Sequence, residues 1–451
     1  MTVTSLADPA GAAAPDERGS DAHRPRWFVP ALAVVMVVAA GVRIAYALVV
    51  VAGEPVGGDP FFYHHGANLL ADGEGFVVPF DLLESGVRTE AADHPPLYLT
   101  YLALWSLVGL DSFEAHLVAS ALLGTAAVGL VGLLGRRVAG PAVGVVAAGF
   151  AAVYPNLFGW DAMLLSEPAA TVTVLALALL AYRYRDRPAL GTAVALGAVT
   201  GLAGLARAEL LVLSVLVVVP AVLGRRRRDL RDRLLHLVAA GLAAVVVISP
   251  WVAHNLTRFE RPVTLSTGFE LTLAYSNCDP VYRGELIGYW HFGCGVEATD
   301  AIPAFGTKDQ SERNEALREH ALDYAGDNLD RVPAVVAARV GRVLGVFRPG
   351  QQVDLDDQIE GRGRWVAVTG LWSYWALAVA SVAGFVVLGR RRIARYPLVA
   401  PMVTVVIAAA STFGATRYRA AAEPMLCVLA AVAVVAAVEH VARVRRSEEP
   451  A

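Results

Sequence analysis

The run WFVPALAVVMVVAAGVRIAYALVVV (residues 27–51) is followed almost at once by GDPFFYHHGAN (58–68). The first stretch is apolar nearly throughout and long enough to cross a hydrocarbon core of ~30 Å. The second sets an aspartate, a tyrosine and two histidines where the chain has just left that core. Apolar runs of this kind recur along all 451 residues, 56% of which are hydrophobic and only 18% charged. The mean hydropathy is +0.51. A soluble chain of this length needs more charge to cover its surface. The fold class expected is an all-α polytopic membrane protein with about ten transmembrane helices, external interfacial helices and a small extracytoplasmic segment. The net charge of −3 gives no reason to expect a nucleic-acid partner. Lys308 is the only lysine, and abundant Ala, Val and Arg with so little Lys suggests a GC-rich bacterial genome and a bacterial plasma membrane.

Arginine placement sets the expected topology. Residues 1–26 are small, polar and Pro-rich and read as a disordered cytoplasmic tail. With Arg24 and Arg26 inside, the spans are 27–51, 113–134, 141–155, 167–182, 190–206, 208–223, 234–252, 366–388, 397–413 and 424–441. The basic loops RR (136–137), RYRDR (183–187), RRRR (225–228), GRRRIAR (389–395) and RVRR (443–446) then all fall on one side. Both termini are cytoplasmic in this arrangement, with a second short tail at 442–451. The segments 53–112, within a core of 27–253, and 254–363, between that core and the last spans of 364–441, are external. HPPLYLTYLALWSLVG (94–109) opens with two prolines and reads as an interfacial helix; counting it as a span would put RR, RYRDR and RRRR on the wrong face.

The external polar groups allow two readings each. Asp59 either caps the helix that follows it or acts as an acid–base group. Glu167, in LSEPAA (165–170), either begins a helix capped by Ser166 or is a second functional acid. Asp161 reads as a solvated loop residue. Arg43 lies inside the first span, where it either snorkels or pairs with an acid or a phosphate. Arg207 and Glu209 pair with each other or are solvated. The turn TRYRAAAEP (416–424) places Arg417 and Arg419 outside, against the positive-inside trend, and a guanidinium fork matches two phosphate oxygens. Carboxylates, aromatic side chains and arginines at the outer boundary are suited to holding a lipid phosphate while doing acid–base chemistry on what it carries.

The pieces GDPFFYHHGANLL (58–70), HPPLYLTYLAL (94–104), FEAHLVASALLGTAAVGLVGLLGRR (113–137), LSEPAATVTV (165–174), PWVAHNLTRFERPVTLSTGFELTLAYSNC (250–278) and TRYRAAAEPML (416–426) together resemble the GT-C fold of membrane glycosyltransferases. The nearest branches are the protein O-mannosyltransferases and the lipid A aminoarabinose transferases. Two departures stand out: His94 replaces a usual Lys of the aminoarabinose transferases, and Glu167 a usual Asp. The resemblance implies a polyprenyl-phosphate sugar as donor, an envelope glycan, lipid or protein as acceptor, and inversion at the sugar carbon. It implies Asp59 as general base and Glu167 as the second acid, which positions the base or acceptor, or helps to hold a divalent metal in relatives that use one. Arg43, Tyr63, His94, Arg417 and Arg419 are the candidates for binding the donor phosphate and substrate.

In the segment 254–363, Cys278 and Cys294 are a disulfide candidate on the oxidising face, and Cys427 reads as core packing. SERNEALREHALDYA (311–325) reads as helix. RVPAVVAARVGRVLGVF (331–347) reads as an amphipathic helix lying on the membrane. Two other functions fit parts of the pattern. A lipid-linked saccharide transporter or flippase needs polar groups near mid-membrane, whereas the charges here cluster at the outer face. A non-catalytic envelope assembly protein predicts that Asp59 and Glu167 do not converge on one cavity.

Overall fold

The computed structural model describes residues 26–53, 57–224 and 229–448. The N-terminal tail, apart from Arg26, and the basic run 225–228 therefore lie outside the described residues. Among the described residues there are helices and one isolated β-bridge, Val77 to Glu90, and no strand.

The first span is α1 (Phe28–Tyr46), continued to Val51 as a π-helical turn. Two short helices follow, α2 (Gly58–Ala71) and α3 (Leu97–Ser106). At ten residues α3 is too short to cross a membrane. Then come α4 (Phe113–Ala139), α5 (Pro141–Val153), α6 (Pro155–Asp161), α7 (Glu167–Asp186) and α8 (Leu190–Ala206). Residues 208–223 form a broken helix, a 3-10 turn and a π turn ahead of the short α9 (Val219–Leu223). Next is α10 (Leu230–Leu256). The polar segment holds α11 (Gly268–Tyr275), α12 (Asp279–Tyr282), α13 (Phe292–Ala301), α14 (Gln310–Asp327), α15 (Val332–Val343) and α16 (Pro349–Gln358). The chain closes with α17 (Arg364–Arg390), α18 (Tyr396–Ser411) and α19 (Glu423–Glu448).

All ten apolar segments are helical, but not all are full-length spans. Among the described residues, five helices are long and apolar enough to cross a membrane: the first span, α4, α10, α17 and α19. The pair α5 and α6 adds a sixth if its 61° bend is counted as one broken span. The expected span 141–155 therefore differs from the structure. Pro155 lacks an N–H and disfavours helical backbone in the residue before it. Tyr154 is accordingly extended, at φ −72° and ψ 116°, and α6 leaves in a new direction.

Helix α4 is the hub, packed by α1, α5, α7 and α19. Small residues allow the closest approaches. Gly197 of α8 faces the Ala240 carbonyl of α10, and Gly384 of α17 faces the Leu429 carbonyl of α19, with no room for a Cβ at either. The outward sides of the spans are apolar, with Val49 82% and Val379 75% exposed, as lipid-facing surfaces require. In the polar segment Cys278 and Cys294 have their sulfurs at bonding distance and Cα atoms 5.8 Å apart. Cys427 is buried among the spans.

Helix α15 lies within the stretch expected to be an amphipathic helix and turns its arginines into the protein. Arg339 and Arg342 are buried, not turned to water. Arg339 donates to the Ser276 carbonyl at 2.6 Å, and Arg342 to the Ile287 carbonyl at 2.7 Å. The arginines thus tie α15 to the cysteine-bearing loop, satisfying carbonyls that no helix or strand serves.

Candidate active site

Residues at one end of the helix bundle converge on one arginine. Arg417 sits in a 3-10 turn, Thr416–Arg419, between α18 and α19. Its Nε donates to Glu167 Oε1 at 2.5 Å. Its Nη2 lies 2.7 Å from Asp59 Oδ2. Its Nη1 is 3.8 Å from Glu360 Oε2. One planar guanidinium therefore meets carboxylates from three distant parts of the chain, as its fork geometry allows.

Each carboxylate is placed by a local feature of the sequence. Gly58 has φ +56°, a conformation only glycine adopts freely, and turns the chain into α2. Asp59 lies in the first turn of α2 but caps nothing; the N-cap position is Gly57, with no side-chain cap bond. Its oxygens go instead to Arg417 and to His94, whose Nε2 is 3.5 Å away. Tyr63, one turn on, packs its ring 5.1 Å from His94 and 4.9 Å from Tyr98. Glu167 is the first residue of α7, and Ser166 before it makes no capping bond. Glu167 is 2% exposed, and its Oε1 also accepts from Arg207 Nη1 at 2.6 Å. Arg207 reaches Glu209 as well, at 2.6 Å, and lies over the Tyr418 ring.

The turn bearing Arg417 is pinned on both sides. Thr416 donates to Asp356 of α16, which also receives Arg362 at 3.1 Å. Arg419 donates to Glu423 at 2.8 Å and to the Val343 carbonyl at 2.9 Å, over the Tyr374 ring.

Electrostatics separate the carboxylates. Burial works to raise the Asp59 carboxyl, but Arg417 and His94 outweigh it and hold the group well below the usual carboxylate range. Glu360 is the reverse case. Burial is the largest cause raising it, Arg417 at 3.8 Å offsets only part of this, Asp356, Asp59 and Glu167 add to the rise, and the net position is about 7. Burial, with Asp59 next, pushes the Tyr63 phenol upward. Two polar atoms here are buried and without a hydrogen-bond partner: the Tyr63 hydroxyl, which lies beside Ser166, and Glu167 Oε2.

Beside the cluster is a cleft of about 380 Å³, counting space open to solvent. Glu167, Arg207, Arg417 and Tyr418 line its polar end. Leu210 and the α18 residues Pro401, Val405 and Ala408 form its apolar wall.

The structure brings Asp59, Tyr63, His94, Glu167 and Arg417 together. It does not bring in the other two candidates for the donor phosphate. Arg43 is wholly buried and its nitrogens are taken: Nε donates to Asp161 at 2.8 Å, and Nη1 and Nη2 to the Ala152 and Ala151 carbonyls at 3.1 Å each. Asp161 is thus buried and paired, not solvated in a loop. Arg419 is likewise spent on Glu423 and Val343. Replacing Arg43 by alanine strands a buried carboxylate, and loss of one partner of such a pair costs ~3–5 kcal/mol. The thermal midpoint in detergent should fall accordingly, and Arg43→Met with Asp161→Leu should restore much of it.

Arg207, Tyr418 and Glu360 were not expected in the site. Arg207 had a signal, an outward-facing arginine beside an acid. Glu360, in QIEGRGRW (358–365), had only its place just before a span.

A family model described as dolichyl-phosphate-mannose-protein mannosyltransferase matches residues 93–254. This stretch contains His94 and Glu167, but not Asp59 or Arg417. The solved archaeal oligosaccharyltransferase AglB from Archaeoglobus fulgidus, in complex with an inhibitory peptide and a dolichol-phosphate, superposes on 94% of the chain with a TM-score of 0.55 at 14% identity. The chain has the GT-C fold. This GT-C chain spans about half of that oligosaccharyltransferase, 52% of its length. The same enzyme tethered to an acceptor peptide matches 94% of the chain and 51% of its own, at 16% identity and a TM-score of 0.53. ArnT from Cupriavidus metallidurans bound to undecaprenyl phosphate covers 90% of the GT-C chain and 77% of its own, at 16% identity and a TM-score of 0.44. No curated protein matches at the level of sequence.

The carboxylates of this cluster do not suit a divalent cation. Hard cations take about six oxygen ligands. Here one oxygen of each of Asp59 and Glu167 is turned onto a guanidinium that already supplies the positive charge. Among the described residues, no group of three or more His, Cys, Asp or Glu is arranged to hold a metal.

Proposed function

We propose that the chain is a membrane glycosyltransferase that moves a sugar from a polyprenyl-phosphate donor to a hydroxyl of an envelope glycan, lipid or protein on the extracytoplasmic face. The observation that carries this reading is the joint grip of Asp59 and Glu167 on Arg417, at the polar end of a cleft whose other wall is apolar. A lipid phosphate needs both halves of such a site. The family model's description and the dolichol-phosphate in the AglB complex support a lipid-phosphate carrier. The ten apolar segments other than α3, with the bent α5–α6 pair taken as one, are read as crossings, with both termini on the cytoplasmic side of a bacterial plasma membrane.

Asp59 is the general base. It takes the proton of the acceptor hydroxyl as that oxygen attacks the anomeric carbon. The bond from that carbon to the phosphate oxygen breaks, and its electron pair leaves with the phosphate. One displacement inverts the sugar carbon. A carboxylate held this strongly by a cation is a weak base in the empty site. Donor binding corrects this, because a phosphate that shares Arg417 draws positive charge away from Asp59. Arg417 and Arg207 stabilise the charge that develops on the leaving phosphate. Tyr63 and Glu167 Oε2 offer the acceptor hydroxyl groups a place to hydrogen-bond, which would relieve two buried unpaired atoms.

Two tests follow from the chemistry. Undecaprenyl phosphate should raise the thermal midpoint of the purified protein, by about 2.7 kcal/mol of stabilisation at a hundredfold excess over Kd; no shift at any concentration contradicts the reading. Transfer should also survive removal of divalent ions, since Arg417 supplies the cation. Activity with EDTA should stay within about twofold of activity with added Mg²⁺ or Mn²⁺.

A further inference from the structure

The three arms of Arg417 are not equally engaged. Nε and Nη2 are at hydrogen-bonding distance from Glu167 and Asp59, at 2.5 and 2.7 Å. Nη1 is 3.8 Å from Glu360, beyond hydrogen-bonding reach. Glu360 enters the cluster from the loop between α16 and α17, a different element from either of the other two acids. Its side chain is 12% exposed and, among the described residues, no second cation is paired with it.

We propose that Glu360 is an anion placeholder: its carboxylate occupies the Nη1 arm of Arg417 in the empty site and yields that arm to the lipid phosphate, taking up a proton from solvent as it does so. This rests on the glycosyltransferase reading and adds to it a residue that times phosphate binding and release. The geometry argues for Nη1 as the exchangeable arm, because withdrawing Nε or Nη2 would unpair Glu167 or Asp59, whereas withdrawing Nη1 breaks the loosest contact. Charge argues the same way. Arg417 and Arg207 face Asp59, Glu167, Glu209 and Glu360, so the cluster carries more carboxylates than guanidinium groups. A phosphate can enter only if negative charge leaves, and neutralising one carboxylate does that. The groups facing Glu360 are Arg417 from the turn before α19, Asp59 from α2, Glu167 from α7 and Asp356 from α16. The Tyr289 phenol is also within its field. Three of these are anions and one is a cation, which favours the protonated form of Glu360 once a phosphate shares that cation. This agrees with a carboxyl already raised to about 7 by burial and by these neighbours. Glu360 acts through Arg417 and is a positioning residue.

The balance is simple. On binding, one solvent proton joins the Glu360 carboxylate to give the acid. On release, that proton returns to solvent and the carboxylate takes back Nη1. No bond to the sugar changes in this exchange.

The test is binding of undecaprenyl phosphate to the full-length protein in nanodiscs at pH 6, 7 and 8, by calorimetry in two buffers of different ionisation enthalpy. Wild type should take up protons on binding near pH 7, and its affinity should fall between pH 6 and pH 8 by about tenfold more than that of Glu360→Gln. The phosphate's own second ionisation, near pH 6, is common to both proteins and cancels in the comparison. Glu360→Gln mimics the protonated state and should bind at pH 8 at least as tightly as wild type does, with no Glu360-linked proton uptake. Equal pH slopes in the two proteins, or tight binding by wild type without proton uptake, would overturn the placeholder while leaving the transferase reading intact. No binding by either protein at any pH overturns both.

Discussion

Replacing Arg417 by alanine should cost both stability and activity, and by more than any other single change in the cluster. Glu167, at 2% exposure, would keep only Arg207, and Asp59 only His94 at 3.5 Å. Removing one partner from a buried ion pair typically costs ~3–5 kcal/mol. Asp59 is 30% exposed and solvent screens much of its share. The expected loss is therefore about 3 kcal/mol, most of it on the Glu167 side. Transfer should fall by at least ~10²–10³-fold, the usual effect of removing one preorganised charge from a site that stabilises a leaving anion. Arg417→Lys separates the two effects. Lysine keeps the charge but is a point donor on a flexible stem, and cannot span Glu167 and Asp59 with one rigid plane. Part of the stability should return, as read from the thermal midpoint, while transfer should stay about 100-fold or more below wild type. Full activity in Arg417→Lys would show that charge alone matters and that the fork does not.

The second large effect is at Asp59. Asparagine has nearly the same shape, and its carbonyl oxygen can still accept from Arg417. Because Asp59 makes no capping bond, α2 loses nothing at its start. The protein should therefore fold, insert and bind a polyprenyl phosphate. It should not transfer sugar, because the amide cannot accept the hydroxyl proton, and loss of a general base costs ~10²–10⁴-fold. Intact donor binding with lost turnover is the pattern that separates a base from a structural acid. Equal loss of both would make Asp59 a support for Arg417 and nothing more.

The segments that cross or line the membrane were legible because hydrophobicity is written locally. Runs near 27–51, 113–134, 234–252, 366–388 and 424–441 became long helices, and the outer polar groups at 59, 94, 167 and 417 marked the end of the molecule that carries the site. The pairings were not legible. Arg43 meets Asp161 across 118 positions, and Arg417 meets Glu167 across 250. No local pattern encodes such a contact. Arg417 and Arg419 offered the same signal, outward arginines of one turn, and Arg43 offered a charge inside a span, yet Arg43 and Arg419 are enclosed by helix packing while Arg417 lines the cleft. The bend at Tyr154 could have been read from Pro155. Glu360 could not, because its character comes from burial and from carboxylates of which only Asp356 is near in sequence, while Asp59 and Glu167 arrive from elsewhere in the chain.

The most direct test of the central claim is donor consumption. Membranes containing wild type or Asp59→Asn would be given a panel of radiolabelled polyprenyl-phosphate sugars, together with an envelope extract as acceptor. The account predicts that wild type consumes one donor and releases polyprenyl phosphate, and that Asp59→Asn, expressed to the same level, does not. Equal consumption by the two proteins, or consumption of none of the donors by wild type, would contradict it.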